Sequence, residues 1–95
     1  MRTVLLVAAS LFLVSGALAD PILPNQDKAG SLLKYQALTA ADRRATLEAF
    51  TGKPMKADAT FDNLDACTLR QTTEDNAASV RLSKAIAGCV KELGL

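Results

Sequence analysis

The sequence predicts an all-α fold: a small single domain of three or four short helices closed by one disulfide. Residues 20–95 contain 13 alanines but only four valines and isoleucines in total, and alanine and leucine favour helix. No alternating apolar and polar run is bounded by an Asn-Gly or Asp-Gly turn, which is the pattern typical of a β-hairpin. The only two cysteines, Cys67 and Cys89, have twenty-one residues between them.

Residues 1–19 have the pattern of a cleaved secretory signal. Arg2 precedes the apolar run 4–14, and the small residues that follow end in Ala-Leu-Ala at 17–19. The run is shorter than the roughly 20 apolar residues of a membrane-spanning helix. We therefore expect cleavage after Ala19 and no stable membrane anchor. The exported protein would be periplasmic in a bacterium and secreted otherwise.

The charge of the remaining 76 residues, 20–95, disfavours two classes of partner. This segment contains ten Lys and Arg residues and ten Asp and Glu residues, so its formal net charge is zero. A neutral chain lacks the basic patch of a nucleic-acid binder and the cationic amphipathic segment of a membrane-surface peptide. A chain of this length rarely gains enough stability from its core alone, so a covalent staple is expected. We expect a monomer.

The N-terminal half divides into a leader and two helices. Residues 20–27 carry two prolines without periodicity and indicate an extended or disordered leader, followed by the helical domain at 28–95. A first short helix is expected at 28–36, with Leu32 and Tyr35 on one side. The second begins after Thr39, with Asp42 completing a capping box, and it ends at Gly52 before Pro54.

Side-chain spacing gives this second helix a buried and a charged face. Ala40, Leu47 and Phe50 recur at helical intervals and should face the core. Arg44 and Glu48 are four residues apart, which predicts an ion pair on its surface.

The C-terminal half predicts two further helices joined by a polar loop. After a linker at 53–59, Thr60 is a candidate cap for a helix that carries Phe61, Leu64 and Cys67 on one face. The last helix is expected at 76–93 and is the central element. Its apolar stripe comprises Ala78, Leu82, Ile86, Cys89 and Leu93. The side chains expected to be buried are Leu64, Leu82, Ile86, Leu93, Phe50 and Phe61.

Three roles compete for the cysteines. A thioredoxin-type redox site has two cysteines within one turn at a helix N-terminus, whereas Cys89 lies near a helix C-terminus. A structural zinc site needs about four Cys or His ligands, and the chain has no histidine. Both cysteines fall on apolar stripes of an exported chain, which favours a structural disulfide. That bond requires the helix bearing Cys67 to end by about Arg70, so that residues 68–75 can run back along the last helix.

The sequence offers little material for metal binding or catalysis. Asp58, Asp62 and Asp65 would share one face of a longer helix, but the segment lacks the alternating acids and the glycine of a calcium loop. Without histidine, Ser-His-Asp and Cys-His arrangements are impossible. Tyr35 and Ser31 have no recognisable partner in the sequence. We therefore expect no enzyme, no metal and no cofactor.

Arg81, Lys84 and Lys91 form a basic stripe opposite the apolar face of the last helix. A solvated surface explains such a stripe in most proteins. Its functional interpretation is a docking face for an acidic partner, which would be another exported protein.

In layout the chain resembles small helical periplasmic proteins closed by one disulfide, among them the acid-stress chaperones. The Cys-x21-Cys spacing near the C-terminus differs from that family, whose first cysteine lies early in the mature chain, so no site residue is carried over. Two functions follow as expectations. The first is a non-catalytic protein-binding, inhibitory or accessory module. The second is a conditional chaperone released by acid, which would act through Asp and Glu because histidine is absent.

Overall fold

A computed structural model describes residues 20–56 and 58–95, so the predicted signal peptide at 1–19 lies outside the described residues. In that part of the chain the secondary structure is entirely helical, which confirms the predicted all-α class. None of the helices found there is long and apolar enough to cross a bilayer. The helices are α1 (Ser31–Tyr35), α2 (Ala40–Thr51), α3 (Ala59–Gln71) and α4 (Leu82–Leu93), with 3-10 turns at Pro24–Gln26 and Ala77–Ser79.

Helix α2 begins and ends where its sequence predicts. The Thr39 hydroxyl accepts a hydrogen bond from the Asp42 backbone N–H at 3.2 Å, which satisfies one of the free donors of the first turn. At the other end Gly52 adopts a left-handed conformation with φ of 71°, which glycine tolerates without steric cost. Leu47 is fully buried and Phe50 half-buried, but Ala40 is exposed in the first turn.

The predicted ion pair between Arg44 and Glu48 is not among the salt bridges of residues 20–56 and 58–95. Glu48 Oε2 instead accepts a hydrogen bond from the Met55 backbone N–H at 2.6 Å. The carboxylate therefore holds the loop that follows α2 against the helix.

Helix α3 is capped by Asp58 and not by Thr60. Asp58 Oδ1 accepts hydrogen bonds from the backbone N–H groups of Thr60 and Phe61 at 3.0 and 3.4 Å. The cap thus lies two residues before the predicted position, because a carboxylate is as good an acceptor as a hydroxyl and also complements the helix dipole. The helix ends at Gln71, one residue beyond the predicted end, so residues 68–71 are helical and not part of the predicted loop; because the last helix starts at Leu82, the disulfide forms without that loop.

The last helix was predicted to start at residue 76, which is six residues before its start in the structure. Residues Ala77–Ser79 form a separate 3-10 turn, Val80 and Arg81 are extended, and α4 begins only at Leu82. Ala78 is therefore exposed rather than part of the apolar stripe.

The start of α4 is fixed by groups from the N-terminal segment. The Ser31 hydroxyl accepts a hydrogen bond from the Leu82 N–H at 2.9 Å, and Asp27 Oδ1 accepts one from the Ser83 N–H at 3.1 Å. Arg81, the residue at the N-cap position, makes no side-chain cap. The helix starts at Leu82 because its free donors are satisfied there by distant side chains.

The predicted leader is packed against the core. Ile22 is 7% exposed, and its N–H donates to the Thr46 hydroxyl at 2.9 Å. The Pro24–Gln26 turn then carries the chain to Asp27 and α1. A disordered leader is therefore wrong for residues 22–27, because one apolar side chain and one carboxylate fasten them to α2 and α4.

Helices α3 and α4 form the largest helix–helix interface, and Cys67 and Cys89 are disulfide-bonded across it, with Cα atoms 5.8 Å apart. Cys67 is 1% exposed and Cys89 is fully buried. Leu93, at the end of α4, is 36% exposed, so its predicted burial is wrong. The largest fully buried apolar side chains are Tyr35, Leu32, Leu47, Leu64 and Leu82, while Phe61 and Ile86 are 7% and 3% exposed.

Candidate functional site

A groove of about 500 Å³ runs between α4, the start of α3 and the loop that follows α2. Its floor is apolar and belongs to the core: Leu64 is fully buried, Ile86 is 3% exposed and Met55 is 7% exposed. Phe50 and Val90 are half-buried at its sides. The groove is therefore an open continuation of the hydrophobic core.

Two further residues, one on α4 and one at the C-terminus, extend the apolar surface to solvent. Ala87 is exposed and lines the groove, where its small side chain occupies little of the space above the floor. Leu95 is 46% exposed and also contributes to the lining. An exposed leucine is ordinary by itself, but here it adjoins other apolar side chains.

Lysines mark the edge of the groove. Lys53, after α2, and Lys91, on α4, both line it and are exposed, and no acidic residue is among the described lining residues. Lys84 is exposed seven residues before Lys91, so two helical turns place it on the same side of α4. We call Lys53, Lys84 and Lys91 the lysine rim.

The three residues of the predicted basic stripe lie in two different places in the structure. Lys84 and Lys91 belong to the lysine rim, and Lys91 contributes to the groove itself. Arg81 lies at the start of α4, where its positive charge acts on the Asp27 carboxylate. Arg81 is exposed, but it belongs to the surroundings of Asp27 rather than to the groove.

The Asp27 cluster joins the N-terminal segment to α4. Partial burial acts to raise the pKa of Asp27. Hydrogen bonds from the hydroxyl and N–H of Ser83 and from the hydroxyl of Ser31, with the charge of Arg81, outweigh it and lower the pKa of Asp27 below its ordinary value of 3.8. The ionised carboxylate is therefore the form that this cluster favours.

A second polar cluster lies on the other side of the core. The Tyr35 hydroxyl donates to Asp65 Oδ1 at 2.7 Å, and Arg43 donates to both oxygens of Asp65 at 2.9 and 3.2 Å. Arg43 also donates to the Leu38 carbonyl oxygen at 2.8 Å. Burial, together with the hydrogen bond to Asp65, raises the pKa of Tyr35. Because each polar group has partners, we assign this cluster to the cohesion of α1, α2 and α3.

The three carboxylates that the sequence suggested as a cation site do not act together. Asp58 caps α3, Asp62 is exposed in its first turn, and Asp65 is 8% exposed and bonded to Arg43 and Tyr35. Across residues 20–56 and 58–95, no group of three or more His, Cys, Asp or Glu could hold a metal ion. The three carboxylates therefore lie in three different surroundings and do not converge on one point.

The sequence did not reveal the groove, because its walls come from three separated segments. Met55 is the one local signal, since it is an apolar residue inside a linker that otherwise reads as polar. Phe50 and Ile86 were predicted as core residues, and of these Ile86 is buried while Phe50 is half-buried at the side of the groove.

Two of the polar side chains that line the groove already make hydrogen bonds within the fold. The Thr51 hydroxyl donates to the Leu47 carbonyl oxygen at 2.7 Å, and the Ser83 hydroxyl donates to Asp27, so both are engaged in the fold. The two lysines and the exposed Thr60 remain to contact an occupant. Comparisons with protein-family models, with curated proteins and with solved structures found no match for this chain.

Proposed function

We propose that this protein is a small, exported, non-catalytic binding protein that holds an apolar, negatively charged occupant in the groove beside α4. One observation carries the proposal: an apolar cleft of about 500 Å³ opens from the core, with Lys53 and Lys91 at its edge. Small-molecule and cofactor sites in proteins span roughly 300–1,000 Å³ and are mostly apolar, with a few polar groups that fix orientation. The groove matches that description.

Two features support export. The disulfide between Cys67 and Cys89 is of the kind that persists in oxidising compartments and is rare in the cytosol. Residues 1–19 have the basic, apolar and small-residue pattern of a secretory signal.

The disulfide also supports a preformed groove. Leu64 lies three residues before Cys67 and Ile86 three residues before Cys89, so each floor residue is one helical turn from the bond. Fixing α3 to α4 at this point holds two walls of the groove in place before an occupant arrives. A preformed site loses less conformational entropy on binding.

A neutral apolar dye tests whether the groove binds at all. N-phenyl-1-naphthylamine should bind the folded protein at neutral pH with increased fluorescence. Ala87→Trp places an indole in the groove and should weaken dye binding at least tenfold. Ala66→Trp is the matched control, because Ala66 is exposed on α3 and does not line the groove.

Equal dye binding by the wild type and both tryptophan variants would exclude the groove as the site. Circular dichroism of each variant verifies that its helices are intact. Loss of binding in Ala87→Trp alone supports the proposal.

Docking of a protein partner on the lysine rim and the start of α4 remains a prediction. Another exported protein with an acidic surface would contact Arg81, Lys84 and Lys91, all of which are exposed. Arg81→Glu/Lys84→Glu should abolish such an interaction with a candidate partner purified from the exported fraction. Lys34→Glu on α1 is a control outside the stripe. Unchanged affinity in the double variant contradicts docking through these residues.

The acid-released chaperone is the second candidate, and the two carboxylate clusters favour it. Asp27 joins the N-terminal segment to α4, and Asp65 joins α1 and α2 to α3. Protonation of Asp27 removes the charge from the first of these connections, and the surplus of positive charge in acid drives the chain apart. Secondary structure and suppression of client aggregation should be followed from about pH 7 to about pH 2. Acid opening with client protection supports the chaperone, and unfolding without protection excludes it.

A further inference from the structure

The deep part of the groove accepts only an apolar group. Leu64, Ile86 and Met55 form the floor. Among the described residues, no buried side-chain nitrogen or oxygen lacks a hydrogen-bond partner. A polar atom placed on this floor would therefore lose its hydration without gaining a hydrogen bond, which is unfavourable.

The edge of the groove favours one sign of charge. Lys53 and Lys91 line it from separate segments, and the described lining residues include no Asp or Glu side chain to balance them. An ammonium group is an unchanging positive charge at neutral pH and donates hydrogen bonds to carboxylate oxygens. The occupant that matches both parts has an apolar body and an anionic end.

The size of the groove argues for a small occupant. A cleft of about 500 Å³ is in the range of small-molecule sites. A stable protein–protein interface instead covers roughly 800 Å² on each partner, and of the exposed large apolar side chains in the described residues only Leu95 lines the groove, while Leu23 and Leu93 lie outside it.

We infer that the groove binds a straight-chain aliphatic carboxylate, with its chain against Phe50, Ala87 and Val90 above the buried floor and its carboxylate at Lys53 and Lys91. This inference rests on the proposed binding function and names its ligand class. The chain displaces water from apolar surface that the fold leaves open. The lysines select the acid over neutral and cationic molecules of the same length.

Three probes with the same alkyl chain test the selection: decanoate, 1-decanol and decyltrimethylammonium. Calorimetry at low salt should show decanoate binding two- to fivefold more tightly than decanol, the range expected for exposed charge pairs. The ammonium compound should bind most weakly. Octanoate should bind about four- to fifteenfold more weakly than decanoate, because two methylene groups are lost from the chain.

Lysine variants test the assignment of the carboxylate. Lys53→Gln/Lys91→Gln should lower the affinity for decanoate to that for decanol and leave decanol binding unchanged. Lys34→Gln/Lys28→Gln, which removes two lysines outside the groove, should preserve the preference. These side chains are exposed, so the fold tolerates each change. Amide NMR shifts on adding decanoate should be largest at Ala87, Val90 and Leu95.

The outcomes separate this inference from the broader proposal. If the dye binds in the groove but decanoate and decanol bind equally, the carboxylate assignment is overturned and the binding function stands. If decanoate shifts amides outside the groove, the site is wrong. If the dye and all three probes fail to bind, both proposals are overturned.

Discussion

The carboxylate of Asp27 accepts hydrogen bonds from both the backbone N–H and the hydroxyl of Ser83, which lies 56 residues later in the chain. Asp27 thereby caps α4 from a distance, in the role that a local side chain fills at most helix N-termini. Ser83 also lines the groove. The start of the helix that forms one wall of the groove is thus set by the first packed segment of the domain.

Removing this cap should destabilise the protein. Asp27→Ala leaves two donors of Ser83 without their acceptor, and we expect the free energy of unfolding to fall by about 1–2 kcal/mol. Urea unfolding followed by circular dichroism measures the change. Asp75→Ala is the control, because it removes the same charge from an exposed loop residue. An equal effect of the two substitutions contradicts the capping role.

The same carboxylate predicts a direction for the dependence of stability on pH. Because the pKa of Asp27 is lower in the folded protein than its ordinary 3.8, its contribution is complete above that pH and is lost as pH falls through the folded pKa. The stability difference between the wild type and Asp27→Asn should therefore be constant near neutral pH and shrink below 3.8. Urea midpoints at several pH values measure it. A difference that grows in acid contradicts the prediction.

The disulfide should contribute a large part of the stability of so small a domain. Closing a loop with a sequence separation of 22 residues is worth about 3 kcal/mol in the chain-entropy description. Cys67→Ala/Cys89→Ala should lower the free energy of unfolding by that amount. Mass spectrometry with alkylation, with and without reductant, should show one intramolecular bond. Two free thiols, or a dimer linked through either cysteine, would contradict it.

Tyr35 should stay protonated until the protein unfolds in alkali. Burial and the hydrogen bond to Asp65 raise its pKa above the ordinary 10.0, so its contribution to stability is complete below pH 10.0 and decreases as pH rises further. Tyr35 is the only tyrosine and the chain has no tryptophan, so tyrosinate absorbance reports this residue alone. The absorbance and the loss of helical signal should rise together. A separate, earlier ionisation step would show an accessible hydroxyl.

Export predicts a defined N-terminus. The protein recovered from the exported fraction should begin at Asp20, because residues 17–19 have the small-residue pattern of a signal-peptide cleavage site. Intact mass spectrometry distinguishes this species from one that starts at Met1. Blocking the site with Ala19→Lys should retain the longer species, and an exported species that starts at Met1 would refute cleavage.

The elements with local signals were predictable from the sequence. Thr39 and Gly52 bound α2 as expected, since a cap and a left-handed glycine act within one turn. The burial of Leu64, Leu82 and Ile86 was expected, since apolar residues at helical spacing mark the face of a helix that packs against the core. The disulfide followed from two cysteines on apolar stripes.

The features that depend on distant contacts were not predictable. The start of α4 depends on Ser31 and Asp27, and the sequence around Asn76 contains nothing that points to them. The sequence predicts Asp65 on the surface, whereas in the folded protein it is bonded to Arg43 and Tyr35. The groove requires three segments to meet, so only Met55 within the linker hinted at an apolar surface there.

The fastening of residues 22–31 to Thr46, Leu82 and Ser83 also sets the order in which the domain can form. A chain that emerges from its N-terminus cannot complete these contacts until its last helix is available, since the partners lie up to 56 positions downstream. Contacts between distant parts of a chain also form more slowly than local ones. The nascent protein therefore lacks a finished fold during synthesis, which suits a polypeptide that is threaded through a translocation channel before it folds.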